Sequence, residues 1–516
     1  MSELGFWTHA QRDPSHLAIV EPGGREVTRG ELLAASNQLV HGLRALGLSK
    51  GDCVAVALPN SVEVFEVFMA VAQAGWTIAP LNWHLTAKEI AYILQDSGAK
   101  AFIASARFGA ACREAADSGD FPASARFAVG DLEGFRPLAA LKRDQPTTLP
   151  DDRSAGGPMT YTSGTTGKPK GVRRAMGNVS PEIVAASQAM FLSLFGMLPG
   201  SQGVHLVVAP LYHTAVLNFA TNHLHLGHSV VLMDKWTPEA TLELIAKYKV
   251  TNTHMVPTMF TRLLKLPEAS KQSHDVSSLS HVIHGAAPCP VDVKQKMLDW
   301  WGPCIYEYYA ASEGGGTLAT PKQWLEKPGT VGPPWPISQI RVLDDDKRPV
   351  KTGEIGTVWI RMGEYKFEYH KDEKKTEDAW SDGFFTVGDA GYLDADGYLY
   401  LCDRKADMII AGGVNIYPAE IESVLVMHPK VVDVAVFGIP NEDWGEEVKA
   451  VVQTAPGVVP GPLVEAELRD FCADKLAKFK IPRTVDFVEE MPRDPNGKLY
   501  KRRLRDPYWQ GRGKAI

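Results

Sequence analysis

Apolar positions fall at helical spacing across residues 28–46, through Leu32, Leu33, Leu39, Leu43 and Leu46, and Gly47 offers a stop. An apolar run, DCVAVAL at 52–58, follows and closes at Pro59 and Asn60, and residues 62–74 again read as a helix. Residues 78–80 and 100–103 read as the next buried strands. Short apolar runs alternating with amphipathic helices predict parallel α/β units. The same alternation returns from 203 to 312. Strands are predicted there at 204–209, 229–233, 250–256 and 281–284, and helices at 238–249 and 257–266. Past residue 330 the pattern changes to short strands, 340–343, 356–361, 391–394 and 397–401, between glycine- and aspartate-rich turns. DADG at 394–397 predicts a hairpin turn. From 407 another α/β unit begins, with a helix at 418–427 and a strand at 432–437. The basic, aromatic end, 501–516, reads as a surface tail.

At 516 residues the chain is long enough for two or more domains. Hydrophobic residues at 45% and charged residues at 22% are ordinary globular usage, which excludes collagen-like, mucin-like and wholly disordered classes. The 54 Lys and Arg against 61 Asp and Glu leave a net charge of −7, so no net basic field recommends nucleic acid or an anionic membrane as partner. Cysteines 53, 112, 289, 304, 402 and 472 form no CxxC or Cys/His cluster. Zinc and iron–sulfur sites are therefore not expected, and scattered thiols suit a reducing compartment. The N-terminus lacks a basic segment followed by an apolar run, and no apolar stretch nears the roughly 18–20 residues of a membrane span. These features predict a soluble, cytoplasmic protein.

The strongest chemical signal is YTSGTTGKPKGV at 161–172. Three glycines, four Ser/Thr residues and two lysines share this string, so backbone N–H groups, hydroxyls and ammoniums can converge on an anion such as a triphosphate. It is not a Walker A loop, because Pro169 follows Lys168. Near the other end, PRDPNGK at 492–498 contains an Asn-Gly turn that projects Lys498.

The 161–172 string resembles the phosphate-loop signature of the adenylate-forming superfamily, which includes acyl-CoA synthetases, peptide-synthetase adenylation domains and beetle luciferases. Further motifs follow in the family's order over nearly the whole chain. YAASE at 309–313 is similar to the segment whose Tyr stacks on adenine, whose hydroxyl residue contacts the α-phosphate and whose acid binds Mg²⁺. That resemblance assigns these roles to Tyr309, Ser312 and Glu313, with Ala310 in place of the usual glycine beside the acyl pocket. A flat ring suits a purine face, and a carboxylate is a hard ligand for a metal beside phosphate. Gly285, Ala286 and Ala287 resemble the lining of the adenine pocket. FTVGD at 385–389 resembles the ribose segment, which assigns ribose to Asp389, and DR at 403–404 adds Arg404. Ala406 falls at the hinge position. Gly412, Gly413 and Val414 resemble the loop that admits coenzyme A, and PRDPNGK resembles the catalytic-lysine loop. His213, in PLYHTA, matches a position beside the substrate carboxylate.

The resemblance implies an α/β fold: a large N-terminal domain, 1–403, of two doubly wound subdomains and a small β-rich one, hinged at 404–406 to a small mobile α+β domain, 407–516. It also implies an acid–thiol ligase using ATP, Mg²⁺ and CoA. The loop 162–168 (Thr162, Ser163, Gly164, Thr165, Thr166, Gly167 and Lys168) would hold phosphates, Glu313 the metal, and Lys498 the reacting groups. Amino-acid-activating members of the family carry an Asp near 210–215 to pair the substrate's amino group; PLYHTAVLNFA at 210–220 has no carboxylate, so the resemblance implies that a buried substrate ammonium would go unpaired. A hydrophobic acid is expected instead: a medium- or long-chain fatty acid, a bulky alicyclic or steroid side-chain acid, or an aryl acid. The apolar run 190–198 fits an acyl channel or a buried helix equally. The thiol of a carrier protein is the alternative acceptor, and a homodimer is left open.

Overall fold

A computed structural model describes residues 4–162, 170–173, 178–311, 313–364, 367–369, 372–494 and 497–510. The chain divides into two compact units. One comprises Met1–His254, His274–His281 and Lys366–Asp378; the other comprises Met255–Ser273, Val282–Tyr365 and Ala379–Ile516.

The first unit contains a parallel sheet ordered Arg136–Pro137, Arg126–Val129, Ala99–Ser105, Cys53–Ala57, Thr77–Pro80 and Gly157–Pro158. Every residue of Cys53–Ala57 is buried, as a central parallel strand covered on both faces requires. The helix Val62–Ala74 matches its predicted span and stops where Gly75 takes φ 73°, the left-handed cap a glycine adopts without strain. The helix Arg29–Ala45 opens with a capping box between Thr28 and Glu31. A second group of strands runs Glu26–Thr28, Leu17–Val20, Ser229–Leu232, Val204–Val207 and Asn252–Met255, parallel except for the Glu26–Thr28 edge.

One seam of this unit is built from imidazoles. His205 and His223 stack at 4.2 Å, Nδ1 of His223 and of His228 are 3.0 Å apart, and His228 Nε2 meets the Ser201 hydroxyl at 3.1 Å. His205 Nδ1 donates to Asn252 Oδ1 at 2.7 Å, and His254 stacks on Phe219. Burial drives all of these rings toward the neutral form, His205 to a pKa of about 3, His228 and His254 to about 4.

In the second unit His281–His284 runs parallel to Ile305–Ala311, which pairs antiparallel with Gly314–Ala319. A meandering antiparallel sheet joins Ser338–Leu343, Gly356–Met362, Asp389–Leu393 and Leu399–Arg404. The predicted hairpin turn closes with the Asp394 N–H donating to the Tyr398 carbonyl at 3.0 Å. A last sheet, Val414–Ile416, Ile409–Ala411, Gly445–Thr454 and Val431–Asn441 with Thr484–Val488 alongside, packs its apolar face against Pro418–Leu425 and Pro462–Ala473. The predicted strands and helices thus recur within a few residues of their expected bounds.

Two expectations need correction. Residues 190–198 are not a buried helix: the helix Pro181–Phe191 ends within them, Met190 and Leu198 face solvent, and Leu192, Phe195 and Met197 are buried. The end of the chain is docked as far as Trp509. Lys501 pairs with Glu422 at 2.9 Å, Leu504 and Tyr508 pack beside Phe437, and Trp509 Nε1 donates to the Gly438 carbonyl at 3.1 Å. Long basic side chains bury their stems while keeping their charged heads satisfied, which is why composition suggested a loose tail. No helix of the described residues is long and apolar enough to cross a membrane.

Candidate active site

The second unit gathers most of the predicted site. Tyr309, near the end of Ile305–Ala311, donates its hydroxyl to Asp389 Oδ2 at 2.7 Å. Asp389 and Arg404 are direct partners on neighbouring antiparallel strands, and Arg404 Nε lies 3.7 Å from Asp389 Oδ1. Burial, then the Asp389 carboxylate, push the Tyr309 phenol well above its ordinary pKa, so it remains a hydrogen-bond donor. Glu313 is buried and close enough to add to that shift.

Lys498 reaches the same group on a braced turn. Its N–H donates to Asp494 Oδ1 at 2.9 Å, and the Asp494 N–H donates to the Lys498 carbonyl at 2.9 Å. Arg493 clamps the turn from below, with Nη1 on the Gly497 carbonyl at 2.6 Å and a two-point contact to Asp433. A Cβ at Gly497 would stand 2.7 Å from Thr258 Oγ1, so only glycine lets the turn press against the start of Pro257–Leu264. Lys265, just beyond that helix, donates to the Val431 carbonyl. The Lys498 side chain is open to solvent, yet crowding by protein and the nearby Arg404 charge lower its pKa. Two like charges held together favour an incoming anion.

The loop around Gly285 approaches the same strand. A Cβ there would meet the Tyr308 ring and carbonyl at 2.8 Å. Ala286 takes φ 68°, left-handed backbone that costs an alanine about 1–2 kcal/mol. Such strain persists only where surrounding structure enforces it. Ala287 follows, half-buried, and Ala310 pairs with Gly316.

Gly412 and Gly413 form the exposed turn between Ile409–Ala411 and Val414–Ile416, with Val414 outward. Gly412 has φ 58° and donates its N–H to the Trp444 carbonyl at 2.8 Å. A Cβ on it would strike the Trp444 ring at 2.4 Å. Ala406 occupies the short turn Lys405–Asp407. His213 belongs to the first unit, where it heads Thr214–Leu226 with its ring 4.4 Å from Tyr212. The strand Thr160–Thr162 pairs with Lys170–Arg173, Thr162 facing Lys170. Ser163, Gly164, Thr165, Thr166, Gly167, Lys168 and Ser312 lie outside the described residues.

Sequence reasoning missed three contributors. Asn60 is buried, donates to the Ala209 and Met233 carbonyls and accepts from the Leu211 N–H at 2.9 Å, so it ties down the loop leading to His213. Its only sequence signal was a strand-ending Pro-Asn. Asp433, under Arg493, and Trp444, half-exposed beside Gly412, had none.

The donor set also bears on a metal. Among the described residues no group of three or more His, Cys, Asp or Glu side chains converges as a cation cage. A buried carboxylate such as Glu313, completed by phosphate oxygens and water, is the arrangement Mg²⁺ accepts, so these residues fit a metal carried in by a nucleotide.

Comparison with known proteins identifies the family. Residues 6–365 match the AMP-binding enzyme family and residues 420–498 the AMP-binding enzyme C-terminal domain. The chain is 33% identical to the fatty acid–acyl-carrier-protein ligase ScoC of Streptomyces coeruleorubidus, over 97% of this chain and 95% of that protein. It is also 33% identical to the long-chain-fatty-acid–CoA ligase FadD13 of Mycobacterium tuberculosis, over 98% and 99%. ATP-bound MatB from Rhodopseudomonas palustris superposes with a TM-score of 0.80 at 30% identity, covering 98% of this chain and 99% of that one. With both family segments in place and full-length ligase relatives on either side, the chain belongs to the AMP-binding enzymes of the adenylate-forming superfamily, as an AMP-forming acid–thiol ligase of the acyl-CoA synthetase type.

Proposed function

We propose that the protein activates a hydrophobic carboxylic acid in two steps, first to an acyl-adenylate and then to a CoA thioester. The observation that carries this reading is the convergence of Tyr309, Asp389, Arg404 and Lys498 in the second unit. In the first step a carboxylate oxygen attacks the α-phosphorus of ATP and pyrophosphate leaves. Tyr309 and the Gly285–Ala287 loop hold adenine, Asp389 and Arg404 hold ribose, and Ser312 meets the α-phosphate. The loop 162–168 is assigned the β- and γ-phosphates. Glu313 would hold Mg²⁺, which when bound would supply neutralisation of phosphate charge. Lys498 bridges the carboxylate and the α-phosphate as charge builds on oxygen. His213 and Ala310 border the acyl group.

In the second step the segment after Ala406 rotates, within a division into domains 1–403 and 407–516. Lys498 withdraws with its clamped turn, and the Gly412–Val414 loop admits the thiol. The thiolate attacks the acyl carbon, AMP leaves and the thioester remains. A carrier-protein thiol is the second reading of the acceptor, favoured by the similarity to a carrier-protein ligase.

Release of pyrophosphate and AMP from MgATP, with and without CoA, tests both readings. The acid panel runs from acetate through medium- and long-chain fatty acids to benzoate, a steroid side-chain acid and an amino acid. CoA-dependent AMP release with a hydrophobic acid is expected. Pyrophosphate release that CoA never turns over favours the carrier protein. Best turnover with the amino acid overturns the assigned substrate class.

A further inference from the structure

Behind the Tyr309 strand lies a group of charges that the reaction does not use. Lys294, on the helix Val291–Trp301, is wholly buried and donates to Glu307 Oε2 at 2.8 Å. Its ammonium also stands 4.8 Å over the Trp324 ring. Glu307 is buried in Ile305–Ala311, two residues before Tyr309. His284, the last residue of His281–His284, is its direct partner in the parallel pair, with Nε2 3.5 Å from the same Glu307 oxygen. One carboxylate oxygen, on the strand carrying Tyr309, therefore accepts from the helix lysine and lies beside the ring that ends His281–His284.

Such a group adds little to stability. Removing two charges from water is costly, and well-packed apolar residues of the same bulk commonly serve as well. Here burial dominates, raising the Glu307 pKa and lowering that of Lys294. What a shared carboxylate supplies is direction, and direction matters at this place. The residue two beyond His284 is Ala286, held at φ 68° against its own preference.

We infer that Lys294, Glu307 and His284 are positioning residues for the nucleotide: the shared carboxylate fixes the strained Gly285–Ala287 turn in register with Tyr309. This rests on the reading of that turn and Tyr309 as the adenine site.

The test is steady-state pyrophosphate release with ATP and acid varied separately, alongside thermal unfolding, on the full-length protein. Lys294→Met/Glu307→Leu keeps the bulk and removes the charges. Its ATP KM is expected to rise about tenfold, with kcat and acid KM changed less than about twofold and little change in Tm. Glu307→Gln, whose amide oxygen still accepts from Lys294, is expected to keep ATP KM within about twofold of the parent. If the double variant does not accumulate, Lys294→Met carries the same expectation for ATP KM. An unchanged ATP KM in the variant tested overturns the inference. So does a parallel loss of kcat, acid KM and Tm, which marks a general packing defect. Asp389→Ala separates this inference from the site reading. If that substitution weakens ATP while the double variant does not, only the inference fails; if it leaves ATP KM unchanged, the nucleotide reading itself fails.

Discussion

At Lys498 a single ammonium is delivered by a turn that Asp494, Arg493 and Asp433 hold rigid. Lys498→Ala is expected to slow adenylation about 10²–10³-fold, the scale of removing one preorganised charge stabiliser. Thioester formation from a supplied acyl-adenylate should persist, and equal loss of both half-reactions would remove the assigned role. The buried imidazoles make a second prediction. Each holds a folded-state pKa below the ordinary 6.5, so its stabilisation is complete above that value. It is lost as pH falls toward about 3 for His205 and about 4 for His228 and His254. His223→Leu removes one ring that must take up a proton on unfolding. Between about pH 6 and 4 the slope of unfolding free energy against pH should flatten by up to about 1.4 kcal/mol per pH unit, measured by urea titration. An unaltered slope would mean that His223 does not titrate between the two states.

Elements were legible where local chemistry and burial agreed. Residues 62–74 read as a helix because a largely apolar stretch runs up to a glycine, and that glycine caps it. The site was legible in order but not in assembly. Asp389 and Arg404 are fifteen positions apart in sequence and become partners only through strand register, with a bulge between Ala390 and Gly391. Lys294 and Glu307 were invisible because isolated charges in a sequence suggest a solvated surface, and only packing shows them buried together. The turn of Gly412 and Gly413 was marked by its glycines, but its tryptophan neighbour stands just before the partner strand Gly445–Thr454, thirty-two residues on. Gly412→Ala adds a left-handed alanine and a clash with Trp444. It is expected to slow thioester formation about tenfold, since that strain costs about 1–2 kcal/mol, while adenylation continues. Stopped-flow comparison of the two half-reactions reads this directly, and an equal effect on both would detach the loop from the acceptor step.

For the molecule as a whole, the alternation of strands and helices gave the α/β architecture, while the packing of the chain end escaped it. Charge and glycine along 501–516 concealed Leu504 and Tyr508, which close an apolar cluster with Phe437, Val451 and Met491. Ending the chain at Tyr500 should lower adenylation more than about tenfold, because the sheet that carries the Lys498 turn loses one side of its cover. The first unit's thermal transition should not move, and full activity in the shortened protein would show that cover to be dispensable. The docked end thus sets how the enzyme ages. A single proteolytic nick after Lys498 would spare most of the folded mass and remove the ligase activity, so the amount of soluble protein in an old preparation would overstate its working fraction.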